Sequence, residues 1–231
     1  VIVHPSHNDG FGKSKDKGGG LPAGGLAALM KNAELKTANR VRDITFVLDS
    51  LEQLMEKLPA LRGRVDASRI GVGGHSLGAY TASLLGGVTA DIGTEKAKSF
   101  LDKRVRCILP ISGQGTGQQG LTAESWKNLT LPMMTITGSR DRGAGGQGPE
   151  WKKEPYQFSP AGNKYLIFIE GANHVAFGGY NGAANEFTPA VQQACALFWD
   201  AYLKELPAAI DALKSESLEE TFRGRVTQES K

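Results

Sequence analysis

The sequence predicts an α/β protein with a mainly parallel sheet flanked by helices. Two observations carry this. Short apolar runs alternate with segments of helical periodicity along the chain. Most of those runs are unbroken by polar residues, as strands covered on both faces are. The 231 residues, 40% hydrophobic, suffice for a domain with a substantial core, and thirty glycines suit a chain with many tight connections.

Val1–Val3 is a β-branched run and predicts a buried strand. Residues 5–25 are rich in Gly, Lys, Pro and Asp and predict a long loop. Residues 26–59 have helical periodicity, clearest over 40–58, where Val41, Ile44, Val47, Leu48, Leu51, Leu54, Met55 and Leu58 recur at threes and fours. Pro59 ends this stretch. After a turn at Asp66, Ile70–Gly73 predicts a strand and Ser76–Gly86 a helix. Arg104–Ile111, Met133–Thr137 and Tyr165–Ile169 predict three more strands. Thr188–Leu206 predicts a helix with Pro189 in its first turn and an apolar face of Val191, Ala194, Cys195, Phe198 and Tyr202. Residues 207–231 turn polar and charged after one short helical piece. They predict an extension beyond a domain of residues 1–206.

Composition argues against several functions. The net charge is only +3 and the basic residues are dispersed, which disfavours nucleic acid as a partner. No apolar run approaches the roughly 18 residues of a membrane span. Cys107 and Cys195 sit in apolar segments without Cys or His at metal-ligand spacing, and read as buried free thiols, with a disulfide as the alternative. His4 and His7 flank a strand end but lack a local third ligand. "DGFGKSKDKGGG" fails the phosphate-loop pattern, and "GVGGHS" fails the dinucleotide fingerprint at Ser76. The chain opens on a strand-like run without Met, so an upstream segment is expected and the compartment stays open.

The segment "RIGVGGHSLGAY" places Ser76 in a G-x-S-x-G pattern between a strand and a helix. A serine hydroxyl needs a base for its proton and donors for the oxyanion. A sharp strand-to-helix turn requires small neighbours, here Gly74 and Gly78, and aims the Leu77 N–H toward the serine as one oxyanion donor. Downstream, Asp141 follows the strand "MMTIT" and His174 follows the strand "YLIFI". Functional residues of a parallel sheet gather at such strand ends. The order Ser76, Asp141, His174 is that of a nucleophile, an orienting acid and a base in α/β-hydrolases.

These motifs, "GVGGHSLGAY", "TITGSRD" and "EGANHVAF", resemble those of the α/β-hydrolase superfamily. Within it, "RVRDITFVLDSLEQL" followed by "VDASRIGVGGHSLGAY" is similar to predicted dienelactone hydrolases and to platelet-activating-factor acetylhydrolase-like serine esterases. The likeness covers residues 1 to about 206. It implies a carboxylic-ester hydrolase that works through an acyl-enzyme, without metal or cofactor, on a small-molecule or polymeric ester. Dienelactone hydrolases proper use cysteine where this chain has Ser76, which argues against dienelactone as substrate. The same machinery also fits an acyltransferase or a polyester hydrolase of the cutinase type, and the fold also fits a non-catalytic binding module. Secretion, a periplasmic site and the cytoplasm all stay open, as does the oligomeric state.

The resemblance also implies that N-terminal strands and the second oxyanion donor precede the chain as given. The alternative is that "VIVHPSHNDG" takes the central position and donates from the Ser6–Asp9 loop; the first is favoured. Trp126, Trp151, Tyr156, Phe177 and Tyr180 are expected in loops around the site. Of these, Trp151 and Phe177 are the candidate substrate-binding residues, with Trp126 and Gln114 weaker ones. His75 is expected to pack beside the strand end.

Overall fold

In the computed structural model, residues 2–5, 7, 33–177 and 185–231 are described. They belong to two compact units, Val1–Ser68 and Arg69–Lys231. In the first, helix α1 (Ala33–Asp49) is followed by α2 (Leu51–Lys57). The stretch expected as one helix over 40–58 breaks at Ser50, whose hydroxyl donates back to the Phe46 carbonyl at 2.7 Å. Leu58 is extended, as the residue before a proline prefers. Of the apolar stripe, Val41 is buried and Leu58 is exposed. The strand expected at Val1–Val3 does not form over the described residues: Ile2 and Val3 are 82% and 50% exposed. A β-branched run supplies propensity, but a strand exists only against a partner, and residues 2–5 have none among the described residues. Most of the loop expected over 5–25, and the helical stretch before Ala33, lie outside the described residues.

The second unit is an α/β fold on a mostly parallel sheet. Its elements are β1 (Ile70–His75), α3 (Leu77–Leu85), a hairpin of β2 (Ala90–Ile92) and β3 (Glu95–Lys98), β4 (Val105–Ile111), β5 (Met133–Arg140), α4 (Pro149–Phe158), β6 (Lys164–Asn173), α5 (Thr188–Tyr202), α6 (Pro207–Lys214), α7 (Ser217–Thr221) and β7 (Val226–Ser230). The main sheet runs β1-β4-β5-β6-β7, parallel except for the antiparallel β6–β7 pair. Successive residues of β4 serve opposite faces, as the pleat requires. Cys107 and Leu109 join a cluster with Ala194 and Phe198 of α5, while Ile108 lies against Gly86 at the end of α3. The sheet is thus covered on both faces, which accounts for the unalternating strands.

Residues 207–231 are not a surface extension. They form α6, α7 and β7; β7 completes the sheet edge against β6, and Leu213, Leu218 and Val226 enter the main core. The polar composition misled because an edge strand needs apolar residues on one face only. β7 buries Val226 and Gln228, and the Gln228 side chain ties the segment to the Ala212 and Leu213 carbonyls, each at 2.9 Å. Helix α4 was also unforeseen, hidden by the glycines before it and by Pro149 and Pro155. Trp151 and Tyr156, expected in loops, lie on it.

The sheet register prepares the site. His75 pairs with Ile111 and Ile111 with Ile136, so the next residues on three neighbouring strands are Ser76, Ser112 and Thr137. Three hydroxyls therefore share one level at the C-terminal edge of the sheet. Between β5 and β6 the register shifts after Gly138, and Arg140 then pairs with Asn173. The next residues are Asp141 and His174. Gly138 permits the shift: a Cβ there would lie 2.6 Å from the Ala172 carbonyl oxygen.

If residues 207–231 are part of the core, Leu213→Ala costs about 2–5 kcal/mol in denaturant unfolding. Leu206→Ala, at a position 44% exposed, costs no more than about 0.5 kcal/mol. Equal small effects at both positions would restore the surface-extension reading.

Candidate functional site

Ser76 occupies the single residue between β1 and α3, with φ 57 and ψ −116. A side-chain-bearing residue in this region carries about 1–3 kcal/mol of strain and persists only where its surroundings impose it. Two constraints do so. The Ser76 N–H donates to the Ile111 carbonyl at 2.9 Å, extending the β1–β4 ladder, while the Ser76 carbonyl already accepts from Tyr80 of α3. Strand and helix thus meet with no linker. The expected demand for two small neighbours falls on one of them. A Cβ on Gly74 would lie 2.5 Å from the Gly78 backbone, whereas a Cβ on Gly78 would meet nothing within 4 Å.

The Ser76 hydroxyl points at the imidazole of His174: Oγ to Nε2 is 3.0 Å. On the other side of that ring, Nδ1 lies 3.2 Å from Asp141 Oδ1 and 2.7 Å from Ser112 Oγ. Ser112 Oγ in turn donates to the same Asp141 Oδ1 at 2.9 Å. Ser76, His174 and Asp141 are therefore brought together in a chain, with Ser112 bridging the second link. Thr137 donates to Asp141 Oδ2 at 2.9 Å. Leu77, the first residue of α3, has an N–H without an intrahelical acceptor.

Asp141 is fully buried. Burial pushes its carboxyl up, but the hydrogen bonds from His174, Ser112 and Thr137 and the charge of Lys152 outweigh this and hold it below the usual carboxylate range. His75 does more than pack. Its Nε2–H donates to the His174 backbone carbonyl at 2.8 Å, and the two rings lie 4.8 Å apart. Burial, with the neighbouring His174, lowers the His75 pKa to about 4. His75 is thus a neutral pin on the turn that carries His174.

The expected substrate-binding residues separate. Phe177 lies on the short turn His174–Phe177, its ring 6.5 Å from that of His75. Trp151 donates through Nε1 to the Thr116 carbonyl at 2.8 Å, and so holds the loop that follows Ser112. Trp126 does not line an open surface: it is 1% exposed and packs against Phe158, because the turn bearing it closes over the end of α4. Gln114 is buried in the loop after β4, its side-chain carbonyl oxygen without a partner among the described residues. Tyr180 lies outside the described residues, as do Ser6, Asn8 and Asp9, the loop offered as a second oxyanion donor. His7 is paired with Asp43 at 2.7 Å.

Cys107 and Cys195 are free thiols, pushed up by burial to about 12 and about 11. Among the described residues no group of three or more His, Cys, Asp or Glu side chains could hold a metal ion, and no helix is long and apolar enough to cross a membrane. Sequence reasoning missed Ser112, Thr137 and Lys152. The first two were findable, since Ser112 directly follows one predicted strand and Thr137 ends another.

Two measurements check this geometry. Gly74→Ala destabilises by about 1–3 kcal/mol through the close approach, and Gly78→Ala, on a helix, is neutral or stabilises by up to about 1 kcal/mol; the reverse order would contradict the packing at Ser76. A histidine held neutral contributes stability that is present above its unfolded value of 6.5 and is lost as pH falls toward about 4. His75→Gln keeps a donor and removes that titration, so it flattens the fall in stability between these pH values, at most about 3 kcal/mol. An unchanged slope would show His75 to be charged or solvated.

Compared with known proteins, the chain matches no family model and no curated sequence.

Proposed function

We propose that this chain is a serine-dependent carboxylic-ester hydrolase with an α/β-hydrolase type of fold, resembling the dienelactone hydrolase-like and platelet-activating-factor acetylhydrolase-like serine esterases. One observation carries the reading: Ser76 Oγ, on a strained turn at a helix N-terminus, lies 3.0 Å from His174 Nε2, while Nδ1 of that ring faces a fully buried carboxylate. A nucleophile within reach of a base, and a base oriented by a third group, are what acyl transfer from a serine requires.

In this reading Ser76 Oγ attacks the ester carbonyl as His174 Nε2 takes its proton. Nδ1–H donates toward Ser112 Oγ and Asp141 Oδ1, which fixes the tautomer that leaves Nε2 free to accept. The negative charge of Asp141 stabilises the imidazolium as it forms. The carbonyl oxygen becomes an oxyanion and takes the Leu77 N–H, favoured by the positive end of α3. Collapse expels the alcohol, protonated by His174, and leaves an acyl group on Ser76. Water, deprotonated by the same histidine, then releases the acid and restores the serine.

The test is hydrolysis of p-nitrophenyl acetate and butyrate. Ser76→Ala lowers kcat/KM by more than about 10³-fold, since a lost nucleophile has no substitute in the network. Equal rates in the two proteins would exclude the assignment. Ester products appearing with added alcohol would move it to an acyltransferase, and release of soluble acid from a polyester film would narrow it to a polymer hydrolase.

A further inference from the structure

Among the described residues, Lys152 is a buried charge beside the site that the proposed mechanism does not use. Lys152 of α4 is 2% exposed. Its ammonium donates to the Ser112 carbonyl at 3.1 Å and lies 3.8 Å from Asp141 Oδ1. That is the oxygen which faces His174 Nδ1 at 3.2 Å and accepts from Ser112 Oγ at 2.9 Å. The lysine thus touches both partners of His174 Nδ1 without touching the ring's reactive edge. A lysine is costly to bury, and a shorter apolar side chain would fill this position on a helix facing the sheet without that cost. Burial lowers the Lys152 pKa, opposed by Asp141.

We propose that Lys152 is a positioning residue of the site: its buried ammonium holds the Ser112–Asp141 arm in place and sets the pH below which the site loses its base. This rests on His174 acting as that base. Two effects run in the same direction. The cation offsets part of the Asp141 charge that would otherwise favour a proton on the imidazole, and it repels the imidazolium itself. Its bond to the Ser112 carbonyl also pins a residue held at φ +50. Of the titratable groups around the ammonium, Asp141 beyond β5 lies against it, His75 on β1 feels its charge, and His174 beyond β6 is reached through Asp141. The ring of Trp151 lies 5.2 Å away on α4 itself, and β4 and β5 supply the neutral hydroxyls of Ser112 and Thr137.

The experiment follows the rate of fluorophosphonate labelling from pH 5 to 9 for the wild type, Lys152→Met and Lys152→Arg. In Lys152→Met the midpoint of the acid limb rises by about half a pH unit or more, the direction expected when a nearby cation is removed. Lys152→Arg keeps the charge and keeps the wild-type midpoint. A Lys152→Met protein that labels more slowly at every pH with the midpoint unmoved overturns the proposal, because the lysine is then structural only. If the wild type does not label at all, the ester-hydrolase reading fails first. The His174 ring resonance, followed by NMR in the same three proteins, then decides the lysine's role without any reaction. Should Lys152→Met not fold, the Lys152 side-chain resonances of the wild type decide: a titration midpoint above neutral pH sustains the charged ammonium, and one below it overturns the proposal.

Discussion

A carboxylate with no exposure to solvent is the constraint on which the rest of this site depends. Asp141 can be buried in ionised form only if its oxygens are satisfied and its charge is met. The chain answers with four groups from separate places. Ser112 follows β4, Thr137 lies within β5, His174 follows β6, and Lys152 comes from α4. Each is held by main-chain structure before its side chain is considered. The imidazole is oriented because the carboxylate is, and Ser76 faces a ring that cannot turn away without removing one of the partners of a buried charge.

What brings these groups to one place is register more than proximity in sequence. Parallel pairing puts Ser76, Ser112 and Thr137 at one level on adjacent strands, and the shift after Gly138 sets Asp141 beside His174. The same ladder that stabilises the sheet therefore sets the spacing of the site. The strain at Ser76 is maintained by the β1–β4 ladder on one side and the first turn of α3 on the other. Packing energy from both faces of the sheet underwrites a backbone conformation that a serine in a free loop would abandon.

Much of this was legible in the sequence, and the exceptions have physical causes. Ser76, Asp141 and His174 could be found because each follows an apolar run too short for a helix and too continuous for a surface strand. The register between those runs could not be read, so Ser112 and Thr137 passed as ordinary strand-end hydroxyls. Lys152 was hidden because a lysine on a proline-interrupted segment looks solvated; its burial is decided by tertiary charge pairing, which local composition does not encode. β7 was missed because one buried face at a sheet edge needs few apolar residues. Val1–Val3 erred the other way, since β-branched composition names a strand without naming its partner. The glycine rule at the turn was half right: the close approach involves both Gly74 and Gly78, but a side chain is barred from the first alone.

Two serines touch the same imidazole from opposite sides, both with positive φ, and the proposed reaction assigns the attack to Ser76 alone. Ser112 is fully buried and spends its proton on Asp141, whereas Ser76 sits at the mouth of α3 against Nε2. Peptide mapping of the protein after reaction with a fluorophosphonate tests this distinction most directly. The adduct is predicted on Ser76 and nowhere else, and it disappears in Ser76→Ala. An adduct on Ser112 or on another serine, or none on a protein that hydrolyses esters, would contradict the account.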